Sequence, residues 1–186
     1  MRQLLLVLVA LSAFSRAWAA DNPVTNAVPL GKPGTLEMVT PRGWTLQRTN
    51  LNLPDSPVTM ELHSPGNTTA IRLTIYWDGF KGGTIVQPGN TKRDIIVSNN
   101  AVQYVDMSIE KKIVVEQLKG PAMTGSFARF TDATWTPVVK NEYRTLTTGM
   151  FSTENIWGTF DLLTGDKDGP MFKQAIEVIK SFRRKP

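Results

Sequence analysis

The sequence predicts an α+β domain in which an antiparallel sheet of about six to eight strands packs with two main helices. Three observations predict it. Polar and apolar residues alternate strictly over several short runs, one late segment carries an unbroken apolar stripe at helical spacing, and short turn signals separate the runs. The composition agrees. Of 186 residues 41% are hydrophobic and 20% charged, which excludes a disordered or collagen-like chain. With no cysteine, a disulfide scaffold, a thiol nucleophile and a thiolate metal site are excluded too.

The first segment reads as an export signal. Met1-Arg2-Gln3 gives a positive start, Leu4 to Leu11 is an apolar run, and Ala17-Trp18-Ala19 supplies the small residues that signal peptidase accommodates. Residues 1–19 are therefore expected to be a signal peptide cleaved after Ala19. The apolar run is too short for a hydrocarbon core that needs about twenty residues. No membrane span is expected elsewhere. The expected location is the periplasm, with secretion as the alternative. Residues 20–34 are rich in Pro, Asn and Gly and read as a flexible lead-in. Residues 35–186 read as one domain.

Leu36 and Met38 flank Glu37 in a first strand, and Pro41-Arg42-Gly43 turns the chain into a second over Trp44–Thr49. Val58, Met60 and Leu62 alternate with Thr59, Glu61 and His63. In residues 70–78, Ile71, Leu73, Ile75 and Trp77 take one face and Arg72, Thr74, Tyr76 and Asp78 the other. Period two with β-branched and aromatic residues marks half-buried antiparallel strands. Similar runs follow at Ile113–Lys119, Ser126–Trp135, Glu142–Phe151 and Asn155–Leu163.

Two segments read as helices. Thr91-Lys92-Arg93-Asp94 resembles a capping box, and Ile95, Val102, Val105 and Ile109 then recur at helical intervals. Near the end, Asp168 reads as an N-cap with Pro170 in the first turn. Phe172, Ala175, Ile176, Ile179 and Phe182 follow at i, i+3, i+4, i+7 and i+10, a core-facing stripe on a helix of about fourteen residues. Arg183, Arg184 and Lys185 are read as cations complementing the dipole of its last turn.

The formal charge of +5 falls to +3 once Arg2 and Arg16 leave with the signal, and the three C-terminal cations account for that remainder. A nucleic-acid binder needs a basic stripe across its folded surface, so nucleic acid is excluded as a partner. The glycine-rich stretch Gly79–Gly89 lacks the Gly-Lys-Ser/Thr that a phosphate loop requires. His63, Ser64, Asp55 and Asp78 supply the residue types of a catalytic triad, but neighbours on a strand point to opposite faces and Ser64 lacks a nucleophile elbow. Asp166, Asp168 and Glu177 begin and end like a calcium loop, yet Pro170 and Met171 stand where a ligand and a turn glycine belong. No catalytic residue, metal site or cofactor is expected, and the chain reads as a non-enzyme. What remains is aromatic. Arg72 and Tyr76 share a polar strand face, and Tyr143 and Trp157 join it if their strands are adjacent. Tyr, Trp and Arg are the side chains over-represented in binding hot spots.

The Pro-Arg-Gly-Trp turn at Pro41–Trp44, the run of antiparallel strands with an inserted helix, and the closing helix ending Ile179-Lys180-Ser181-Phe182 resemble the PsbP/Mog-like family over about 35–183. That resemblance implies an α/β/α sandwich. The family includes photosystem II extrinsic subunits, a Ran-binding protein and bacterial adaptors for secreted effectors, so it also implies non-catalytic binding to another protein. No catalytic residue carries over. The expectation is an exported protein-binding module, as an accessory, chaperone or toxin-neutralising factor. The alternatives are a carrier of a small apolar ligand with the 79–89 loop as its lid, and a hydrolase built on His63.

Overall fold

The computed structural model describes residues 22–31, 33–49, 56–77, 87–134 and 142–186. The signal segment, Asp55, Asp78, Trp135 and most of the glycine-rich loop lie outside the described residues. Seven strands form one antiparallel sheet: β3 (Thr45–Arg48), β4 (Val58–His63), β5 (Thr69–Trp77), β6 (Glu116–Lys119), β7 (Thr124–Thr131), β8 (Thr145–Thr153) and β9 (Ile156–Thr164), in the order β3-β4-β5-β9-β8-β7-β6. A smaller sheet joins β1 (Val24–Pro29), β2 (Thr35–Thr40) and β10 (Arg183–Lys185) in the order β1-β2-β10. Helix α1 (Asn90–Ala101) lies over β7 and β8 on one face of the large sheet, and α2 (Pro170–Lys180) packs on β5, β9 and β2. The α+β class and the single large antiparallel sheet agree with the sequence.

The alternation seen in the sequence decides the layers. Ile71, Leu73 and Ile75 on β5 sit opposite Leu162, Phe160 and Gly158 on β9 and Leu62, Met60 and Val58 on β4. Apart from Gly158, all these residues enter the main core. The predicted stripe Phe172, Ala175, Ile176, Ile179 and Phe182 is buried against them, and the Phe182 ring meets Phe151 edge-on at 4.9 Å. Two glycines admit aromatic rings into this layer. Gly149 faces Phe160 and Gly158 faces Phe151 across the β8–β9 ladder. A Cβ on Gly149 would run into the Phe160 ring and come within 2.6 Å of the Ser126 carbonyl oxygen.

Four expectations need correction. The lead-in is not unstructured. Val24–Pro29 forms β1 on β2, because Val28 turns into the core and Asn26 Nδ2 donates to Thr40 Oγ1 at 2.8 Å. Neither predicted helix cap forms. The N-caps are Gly89 and Gly169, neither with a side-chain cap, and Asp168 instead accepts from Arg129 Nη1 at 2.9 Å.

The apolar stripe assigned to the first helix is wrong as well. Ile95 and Val102 are 54% and 61% exposed, and Ile109 lies beyond the helix. The buried positions are Arg93, Val97 and Ala101, spaced by four. A buried arginine occupies the first of them, with Nε and Nη1 donating to Ser126 Oγ at 3.3 Å and Thr124 Oγ1 at 3.2 Å. An apolarity count places no arginine inside, so it selected the wrong face.

Finally, Arg183–Lys185 do not extend α2. The helix stops where the Ser181 N–H reaches the Glu177 and Val178 carbonyls, and the buried Phe182 turns the chain back along β2. Arg183 and Lys185 then flank buried Glu37 at 2.8 and 3.4 Å.

Candidate functional site

The second face of the large sheet is divided. Under α1 it is small and apolar: Ala128, Phe130 and Met150 meet Val97 and Ala101, with Ile96 and Tyr104 at the margin. Toward β3 the same face turns polar. The register aligns Gln47, Glu61, Arg72, Asp161 and Thr148 as one rung across β3, β4, β5, β9 and β8. Glu61, Arg72 and Asp161 each lie between buried neighbours on their strands, so alternation turns these three away from the main core.

Glu61 is the hinge of this rung. Its Oε1 receives Arg72 Nε at 3.0 Å, and its Oε2 lies 3.0 Å from His63 Nε2. Arg72 remains 59% exposed. On its other side Asp161 is half-buried. Burial holds the Asp161 carboxyl above the usual aspartate value, against the pull of the Thr148 hydroxyl and the Arg72 charge. Four residues beyond Arg72 on β5, Tyr76 stacks on Trp157 at 4.5 Å with the planes 20° apart. Trp157 is buried beneath it.

A cavity of about 220 Å³ opens beside the rung. Phe130, Leu146 and Leu163, aligned across β7, β8 and β9, form its floor. Tyr104 and Tyr143 stand in its walls, the Tyr104 ring 5.7 Å from Phe130. Burial raises both phenol pKa values. Asp161 adds to the rise at Tyr104, while at Tyr143 the Arg72 charge opposes burial and Glu61 reinforces it. Tyr143 therefore links the cavity to the charged rung electrostatically.

The four residues singled out from the sequence thus lie on or beside one sheet face. Arg72 and Tyr76 share β5, Trp157 is the cross-strand partner of Tyr76, and Tyr143 is within electrostatic range of Arg72. Sequence reasoning missed Glu61, Asp161, Tyr104 and the cavity. Outward parity was visible for Glu61 and Asp161, but nothing in the sequence places β9 beside β5. Of the triad residue types, Ser64 Oγ accepts from the Thr69 N–H at 3.0 Å within its own turn and His63 turns to Glu61, while Asp55 and Asp78 lie outside the described residues. Among the described residues no group of three or more His, Asp or Glu gathers to hold a metal ion, and no helix is long and apolar enough to cross a membrane.

No family model matches the chain, and no curated protein matches it by sequence. Solved structures similar to it include the following two. One is the solution structure of cyanobacterial PsbP from Synechocystis sp. PCC 6803, at 14% identity and a TM-score of 0.49, covering 89% of this chain and 95% of that one. The other is a protein of Bacteroides thetaiotaomicron, at 13% identity and a TM-score of 0.36, covering 81% of this chain and 45% of that one. The likeness concerns the fold alone.

Proposed function

We propose that the chain is an exported, non-catalytic module that binds another protein in the periplasm, with the open half of the sheet face as its contact surface. The observation that carries this reading is the placement of an exposed arginine, Arg72, on the same strand face as a tyrosine stacked on a buried tryptophan. Arg, Tyr and Trp dominate the energetics of protein contacts, and an aromatic pair braced by a sheet loses little entropy on binding. The engagement of Ser64 within its turn and of His63 with Glu61 supports a role without covalent chemistry. The test is recovery of a partner from periplasmic extract by the full-length exported protein and by its Arg72→Glu variant. A specific partner that is retained by wild type and lost from the folded variant is the expected result. Saturating bait with no specific partner, or equal recovery by both, removes the proposal.

A second reading, a carrier of a small apolar ligand, is supported by the cavity over Phe130, Leu146 and Leu163. Its lid, placed at 79–89 by the sequence, falls mostly outside the described residues. Native mass spectrometry of gently purified protein tests it: a bound molecule of fixed mass supports a carrier, and a clean apo spectrum counts against one.

A further inference from the structure

We propose that the cavity takes an uncharged, single-ring molecule that carries one hydrogen-bond acceptor; this deepens the carrier reading and rests on it. Size comes first. A cavity of about 150 Å³ is enough for benzene. At about 220 Å³ this one holds a six-membered ring with two or three further heavy atoms. The floor then selects for a ring. Phe130, Leu146 and Leu163 come from three adjacent strands and present a flat apolar surface with no hydrogen-bonding side chain.

The walls decide the polar end. Tyr104 and Tyr143 keep their phenolic protons throughout the neutral range, because burial and the nearby carboxylates Asp161 and Glu61 disfavour phenolates. Each therefore has an O–H to donate. A carbonyl or ether oxygen on the ligand matches a donor, and an ammonium group does not. Charge is decided by balance. Asp132 and Arg144 both line the cavity, one of each sign, and Arg72, whose charge reaches Tyr143, is engaged by Glu61. A carboxylate ligand meets Asp132 in the lining and an ammonium ligand meets Arg144, so a charge of either sign faces its like.

The experiment titrates the full-length exported protein with acetophenone, benzoate and benzylamine, followed by amide chemical shifts. Acetophenone is expected to bind saturably with a dissociation constant on the order of 0.1 mM, shifting residues around Phe130, Leu146 and Leu163. Benzoate and benzylamine should bind at least about tenfold more weakly. Leu146→Trp fills the cavity and abolishes the shifts; Leu163→Phe, a smaller filling, is the second variant should the first unfold. Tyr143→Phe retains the ring, loses the donor and weakens acetophenone by about fivefold. Benzoate or benzylamine binding as tightly as acetophenone overturns the ligand class and leaves the carrier reading standing. Failure of all three to saturate, or unchanged binding in the folded cavity-filled variants, overturns both.

Discussion

Tyr76 and Trp157 face each other across β5 and β9, their centroids 4.5 Å apart and their planes nearly parallel. The tyrosine is the outer member and shields a tryptophan that belongs to the second core. Tyr76→Ala is expected to cost about 2 kcal/mol, from the lost stack together with the apolar area uncovered. Urea unfolding measures the loss. Trp157 should also become accessible to acrylamide quenching, an effect that a variant on the opposite edge will not reproduce.

Asp161 is expected to be held at a cost to stability. Its folded pKa lies above the unfolded one, so ionised Asp161 disfavours the fold above that folded value, and the penalty fades as pH falls through it. Asp161→Asn keeps an acceptor for the Thr148 hydroxyl and removes the charge. The variant should be more stable than wild type by about 0.5–1 kcal/mol at pH 7, with the gap closing below about pH 3.5, where both states of wild type are protonated. Denaturant midpoints between pH 3 and 8 decide it, and a gap that widens toward acid sinks the idea.

Glu37 has the opposite sign. Burial lifts its pKa, but hydrogen bonds from Arg183 and Lys185 and their charges outweigh burial and leave it below the ordinary glutamate value. Glu110 is lowered in the same sense: burial is overcome by hydrogen bonds from Thr131 and by Lys167. Groups with depressed pKa values stabilise the fold above the unfolded pKa and lose that contribution as pH falls through the folded one. Wild type should therefore weaken from about pH 4.5 downward. Glu37→Gln should be less stable at pH 7 and lose less on acidification, as read by thermal melts across that window.

Gly149→Ala should be among the most damaging single-methyl changes in the chain. The new Cβ meets the Phe160 ring and the backbone carbonyl of Ser126, and backbone in mid-sheet cannot retreat. A loss of about 2–3 kcal/mol is expected. By contrast Ile95→Glu, on the outward side of α1, should change stability by less than about 0.5 kcal/mol, whereas Val97→Ala two residues on costs about 2 kcal/mol. If Ile95→Glu proves the costlier of the two helix variants, the helix packs by its other face.

The legible part of this fold was whatever a single strand or helix encodes by itself. Ile71, Leu73 and Ile75 announced their own buried face, and Phe172 to Phe182 announced theirs, because period two and period 3.6 are local properties. Adjacency was not local. That Asp161 lies beside Arg72, and Trp157 under Tyr76, follows from β9 pairing with β5, a ladder between segments some ninety positions apart. The face of α1 was misread for a different reason. Arg93 pays for its burial with three hydroxyl and amide acceptors drawn from β6 and β7, and no pattern of apolar residues signals such partners. The C-terminal cations looked like dipole partners, but β2 offers Glu37 to Arg183 and Lys185, and Arg184 turns to Glu154.

The pairing of β10 with β2 has a consequence for the order of assembly. Arg183 and Glu37 are 146 positions apart, whereas β4–β5 and β8–β9 are neighbours in the chain and zip from short turns. Distant contacts carry the greater loop-closure entropy and form late. The β2–β10 pairing is therefore the latch that closes last, and until it does Leu36 lacks the strand beside it. A tag attached directly behind Lys185 would press on that latch, and an insertion in the β8–β9 turn would loosen it too, because Glu154 there accepts from Arg184 Nη1 at 2.9 Å.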